Sequence, residues 1–136
     1  EWLDPTQAPG NDVVRLRAVR VRAESGIITD RFDIRKPIDL EVEFDVVKAG
    51  HIFVPVFNLY NEEDVLVFIA HDRDQAWQRT PRPTGRYTST ARIPGNWLAE
   101  GMMSVSSLMM TEDPFRMHAH APRTIGFRVA NPQGKR

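Results

Sequence analysis

Two short stretches of this chain carry side chains suited to metal or proton chemistry. His118 and His120 form an HxH pair. On a β-strand, where side chains alternate, that spacing points both rings the same way and suits two ligands of one metal ion. Here Pro114 and Pro122 flank the pair, which reads as a loop, and His51 and His71 stand in no fixed relation to it. Packing or surface histidines explain the pattern better. The second stretch, His71-Asp72-Arg73-Asp74, sets two carboxylates beside an imidazole, the parts of a general acid/base site. Solvated charges or a turn cap account for a polar loop of this composition equally well. The chain has no nucleophile elbow, no phosphate-cradling glycine loop, no HExxH and no EF-hand loop. It has no cysteine, hence no thiolate site and no disulfide scaffold. A small hydrolytic enzyme therefore needs a pocket that gathers His71, Asp72 and His118. No catalytic residue, metal or cofactor is expected.

Binding chemistry is better supplied. Sugar sites on β-proteins combine aromatic rings, which pack on the C–H faces of pyranoses, with short polar groups that hydrogen-bond hydroxyls. Asn58 and Tyr60, Thr88 and Thr90, and Ser104 and Ser106 are pairs at strand spacing, and Trp77 in its loop could serve as a stacking platform or plug an open end. These are the candidate carbohydrate-binding residues, taken as one exposed sheet face; an ordinary wet face uses the same types. The alternating Arg15, Arg17, Arg20 and Arg22 invite a nucleic-acid reading. Eighteen basic residues against 18 acidic ones, with no aromatics interleaved, exclude it. Cross-strand ion pairs with Glu41, Glu43 and Asp45 are the alternative, if those strands are neighbours.

The elements that must position these residues are strands. At 136 residues the chain builds one core, and no apolar run reaches the roughly 18 residues of a membrane span. Residues 1–12 hold two prolines and a glycine and read as a linker or arm; Trp2 and Leu3 there should dock on a neighbouring surface. Val13 to Ala23 is a first strand with a phase slip, hence a bulge, near Ala18. Ile27 to Phe32 reads as a short edge strand. Ile38, Leu40, Val42, Phe44 and Val46 alternate with Asp39, Glu41, Glu43 and Asp45, a strand with one buried and one wet face. Lys48-Ala49-Gly50 reads as a hairpin turn into His51–Asn61, apolar on both faces and so a central strand. Asn61–Asp64 is the next turn, and Val65–Ala70 completes a hairpin. Residues 71–84 and 111–122 are long loops. Arg123–Val129 is the last strand, and 131–136 a frayed polar tail.

Between the strands Tyr87–Ile93 and Met102–Met109, the residues Pro94, Gly95, Asn96 and Gly101 bracket an apolar plug, Trp97-Leu98. It caps one end of a core walled by those strands. Roughly seven or eight strands spaced by turn signals make an all-β chain, an antiparallel β-sandwich of immunoglobulin type. The expected core is Leu40, Val42, Phe44, Phe57, Leu59, Phe68, Val105 and Phe127.

Several stretches together resemble a known family. They are APGNDVVRLRAVRV (8–21), FDIRKPIDLEVEFDV (32–46), FNLYNEEDVLVF (57–68), GRYTSTARIPGNWLAEGMMSV (85–105) and IGFRV (125–129). Their order is similar to that of the C-terminal domain of the ATP-binding subunit of polysaccharide ABC exporters, the Wzt type of O-antigen exporter. The resemblance implies a non-catalytic, immunoglobulin-like sandwich over 13–130 that binds the exported surface polysaccharide. It implies a homodimer, with exchange of a terminal strand as one form, and residues 1–12 as the arm from a preceding nucleotide-binding domain. The start at Glu1 without methionine fits a fragment of such a longer chain. It also implies a permease partner and a cytoplasmic place at the inner membrane. Where that family carries an aromatic, this chain has Met102-Met103. With Met109, Met110 and Met117 they form a methionine-rich patch, either core or an adaptable apolar surface. A dimerisation or regulatory module that binds no sugar would share the fold; an apolar, self-complementary sheet edge without a groove would mark it.

Overall fold

The computed structural model describes residues 10–26, 29–71, 80–112 and 115–130, with the backbone alone over 122–124. The expectations for Trp2, Leu3, Ile27, Asp72, Asp74, Trp77 and the tail lie outside the described residues. Among the described residues eight strands form: β1 (Val14–Ala23), β2 (Arg31–Asp33), β3 (Ile38–Val46), β4 (Ile52–Asn61), β5 (Leu66–His71), β6 (Gly85–Ile93), β7 (Gly101–Glu112) and β8 (Arg116–Ala130). They make a three-stranded sheet, β1-β3-β6, and a five-stranded sheet, β2-β8-β7-β4-β5. The immunoglobulin-like sandwich is as expected. Its pairings are antiparallel except one, since β2 runs parallel to β8.

Period-two patterning sets the layers. In β3 the apolar residues Ile38 through Val46 are buried while Asp39, Glu41, Glu43 and Asp45 face out. In β4, Phe53, Phe57 and Leu59 enter the core and Val54, Val56, Asn58 and Tyr60 take the outer face. That settles a strand whose two faces look alike in sequence. The β1 register shifts between Leu16 and Ala18, where the phase slip places the bulge. All of the expected core residues are buried except Phe68, which packs half-buried at its margin. The methionines divide by parity. Met103 and Met109 are core, whereas Met102 and Met117 are exposed.

Three local expectations are corrected. Lys48–Gly50 is not a hairpin, because β3 and β4 belong to different sheets and the segment crosses between them. The strands flanking Trp97-Leu98 lie in the two facing sheets and wall the core as expected. Leu98 does enter the core, but Trp97 is 63% exposed. The stretch read as a loop over 111–122 is mostly strand, since β8 begins at Arg116 and carries both His118 and His120.

Candidate functional site

Register brings four of the candidate residues together. On the outer face of the five-stranded sheet Asn58 lies opposite Ser106, and Tyr60 opposite Ser104. Val56 opposite Leu108 and Val54 opposite Met110 extend the row along the same two strands, and Gly126 of β8 stands beside Ser104. Asn58, Tyr60 and Ser104 are half-buried, but Ser106 is only 2% exposed. Ser106 therefore supports the row from beneath. At one end of this face Arg31 and Arg128 are register partners, and Arg128 also pairs with Met102. Both arginines line a shallow pocket of about 260 Å³ with Asp30, Met102, Gly126 and Phe127.

Thr88 and Thr90 are elsewhere. They lie in β6, opposite Glu43 and Glu41, on the outer face of the three-stranded sheet. The six residues taken as one face thus divide between opposite sides of the sandwich, about 10 Å of sheet-to-sheet packing apart. The side that holds the threonines is an ion-pair lattice. Arg20 bridges Glu41 at 2.8 Å and Glu43 at 2.9 Å, Arg22 meets Glu41 at 3.1 Å, Arg86 meets Asp45 at 2.9 Å and Arg92 meets Asp39 at 2.8 Å. Hydrogen bonding to Glu43 first, and to Glu41, holds the Arg20 pKa above its ordinary value. Arg15, Arg17, Arg20 and Arg22 of β1 are all half-buried on this face.

Of the acid/base candidates, the two that are described, His71 and His118, do not converge. His118 sits at a register irregularity of β8, where its ring joins Asn11 and Thr111. His71 ends β5, with β7 and β4 lying between that edge strand and β8. Among the described residues no group of three or more His, Asp or Glu side chains could hold a metal ion.

One concavity escaped sequence reasoning. A cleft of about 370 Å³ opens where β4 turns into β5 and β6 crosses to β7. Glu62, Glu63, Trp97, Glu100 and Met102 are among its lining residues. The signal lay in the sequence as acids on both sides of the plug, Glu62-Glu63 and Glu100; a tryptophan beside glycine and proline reads by default as core.

No protein-family model matches the chain, and no curated protein matches it in sequence. Solved structures do match in shape. The C-terminal domain of Wzt superposes with a TM-score of 0.72 at 9% identity, covering 90% of this chain and 76% of that one. The fold is that of the Wzt C-terminal domain. A bacterial adhesin from Mobiluncus mulieris, with intramolecular disulfide, isopeptide and ester cross-links, follows at a TM-score of 0.53 and 10% identity. It covers 92% of this chain, which spans 58% of the adhesin. At these identities the likeness to Wzt is one of architecture, and the resemblance read in the sequence motifs holds at that level. Among the described residues no helix is long and apolar enough to cross a membrane.

Proposed function

We propose that this chain is a non-catalytic, glycan-reading domain of an ATP-driven polysaccharide exporter. The observation that carries the reading is the cross-strand pairing of Asn58 with Ser106 and Tyr60 with Ser104, in a fold shared with the Wzt C-terminal domain. The phenol ring of Tyr60 offers a surface for a sugar's C–H face. The amide of Asn58 and the hydroxyl of Ser104 offer donors and acceptors to its hydroxyls. Val54, Val56, Leu108 and Met110 lengthen the strip for a polymer rather than a single ring. The partners of this reading are an O-antigen or related surface polysaccharide, a nucleotide-binding domain on the same chain, a membrane permease and a second copy of the domain. Its place is the cytoplasmic side of the inner membrane, within a lipopolysaccharide-type export system.

The test is a titration of the chain with the surface polysaccharide of its source organism, followed by NMR, with an unrelated glycan as control. Saturable shifts are expected along β4 and β7, with loss of binding in Tyr60→Ala and Ser104→Ala proteins that remain folded. Unchanged binding in both variants would remove these residues from the site.

One observation favours a second reading, a dimerisation module without sugar. The edge strand β5 presents Leu66, Val67 and Ile69 at 44%, 40% and 50% exposure, with Val65 at 53% just before it. Edges this apolar pair readily with another strand. A dimer that dissociates in Ile69→Lys, together with no polysaccharide binding at millimolar sugar, would favour that reading.

A further inference from the structure

The cleft beside β5 took no part in the reading above, although Met102 on its rim lies two residues from Ser104 on the same strand face. Its lining comes from two separate segments. The Asn61–Asp64 turn brings Glu62 and Glu63, and the crossover from β6 to β7 brings Trp97 and Glu100. Its volume, about 370 Å³, falls within the range of small-ligand sites.

Trp97 gives the cleft its character. It is 63% exposed, yet it is held in place. Its ring meets the Phe68 ring edge to face, 5.5 Å between centroids and 81° between planes, and Phe68 packs on the core. One residue earlier, Asn96 N–H donates to the Ile34 carbonyl at 2.8 Å, which ties the crossover down. A rigid indole facing water can accept a flat apolar partner at little further loss of conformational freedom. Among the described residues, the ionisable groups that line the cleft are Glu62, Glu63 and Glu100. Among the described residues no such acids gather closely enough to hold a metal ion.

We propose that this cleft is a sugar subsite that seats a non-acidic pyranose against Trp97, with a free amino group strengthening the fit. A pyranose supplies a C–H face for the indole and hydroxyl or ammonium donors for the carboxylates. An acidic ring is repelled by Glu62 and Glu63. It is drawn instead to Arg31 and Arg128, on the far side of Met102. The inference rests on the glycan reading, and it names the class of sugar that the reading leaves open.

The experiment follows the indole N–H resonance of Trp97, assigned with Trp97→Phe, while the chain is titrated with three tetrasaccharides. These are a chitosan tetramer bearing free amines, its N-acetylated counterpart and tetragalacturonate. The expected result is a saturable shift with both chitin-type sugars. The free amine should bind at least tenfold tighter at low salt and lose that advantage at 0.5 M NaCl, with no shift from tetragalacturonate. Trp97→Ala should weaken binding at least tenfold. Glu62→Gln combined with Glu63→Gln should abolish the preference for the amine while leaving the Trp97 shift. If the amides of Asn58 and Ser104 respond and the Trp97 indole does not, the sheet-face reading stands and this inference falls. If Trp97 responds alone, the subsite stands and the sheet face is not the site. A Trp97 shift of equal size with tetragalacturonate, or none with any of the three sugars, overturns the proposal.

Discussion

Asn11 and His118, 107 residues apart in sequence, are joined by a 3.0 Å hydrogen bond that pins the entry to β1 against β8. The network fixes its direction. Asn11 Oδ1 accepts the N–H groups of Val13 and Val14 at 2.9 and 3.2 Å, so the amide nitrogen donates to His118 Nδ1. His118 Nε2–H then donates to Thr111 Oγ1 at 2.9 Å. This is a neutral imidazole with both nitrogens used, and a second ring proton would face the Asn11 donor.

Stability should therefore fall in mild acid. Burial, with the nearby charges of His51 and Arg116, pushes the His118 pKa below the usual imidazole value, while Asp12 opposes the shift. The unfolded chain takes up a proton near pH 6.5, and the folded chain takes it up only at lower pH. The contribution is thus fully present above about pH 6.5 and is lost progressively as the pH falls from there through the lower pKa of the folded state. Urea midpoints at pH 7.5 and 5.5 should differ in the native chain and differ less in His118→Gln. An unchanged slope in the variant would assign the effect to other groups.

Arg82 should behave as a core residue despite its charge. It is 2% exposed, with its guanidinium carbon 5.2 Å from the Phe44 ring centre and 5.1 Å from that of Tyr87. The two rings stack 5.8 Å apart. Arg82→Met keeps the stem and removes the cation, and is expected to cost about 2 kcal/mol. Arg82→Ala also opens a void and should cost roughly 3 kcal/mol or more. Chemical denaturation checks both; a methionine variant as stable as the native chain would show that the cation contributes nothing.

What the sequence discloses, and what it hides, divides by range. β3 was legible because every second residue is charged, and the β1 bulge because one apolar phase gives way to the other at Ala18. Sheet membership was not legible. A turn at Lys48–Gly50 needs a glycine at positive φ whether it closes a hairpin or crosses between sheets, and Gly50 sits at φ 99°. For the same reason the threonines of β6 looked equivalent to the serines of β7, although the crossover sends them to opposite sides. β8 was shortened by Pro122, since proline donates no ladder bond; the strand tolerates it at a register shift opposite Val105–Ser107. The Asn58–Tyr60 and Ser104–Ser106 rows were legible as rows, but that they face each other depends on β4 pairing with β7 across some 45 residues of chain. Trp97 was hidden by the ordinary expectation that large apolar side chains go inside.

The Arg20 bridge should be the strongest member of the ion-pair lattice, because one guanidinium serves two carboxylates and its side chain is 23% exposed. Arg20→Gln is expected to cost about 1 kcal/mol at low salt. The difference from the native chain should shrink in 1 M NaCl as screening weakens the native pair. Thermal melts at two salt concentrations read this directly. A penalty independent of salt would point to lost packing of the arginine stem instead.

Gly95 controls the crossover that carries Trp97. A Cβ at this position would stand 2.1 Å from the Arg35 carbonyl oxygen and 3.2 Å from the Lys36 nitrogen, both backbone atoms that cannot rotate away. Gly95→Ala must therefore push the crossover off the turn between β2 and β3, breaking the Asn96 N–H bond to Ile34. A loss of roughly 2–3 kcal/mol is expected. Gly50→Ala is the control. Nothing lies within 4 Å of its Cβ, so only the positive φ opposes it, at a cost of about 1 kcal/mol. Because Trp97 follows two residues later, Gly95→Ala should also displace its ring from Phe68 and move its indole N–H resonance, whereas Gly50→Ala should leave that resonance in place. If both variants lose the same small amount of stability and neither moves the indole, the close approach of Gly95 to Arg35 does not position the tryptophan.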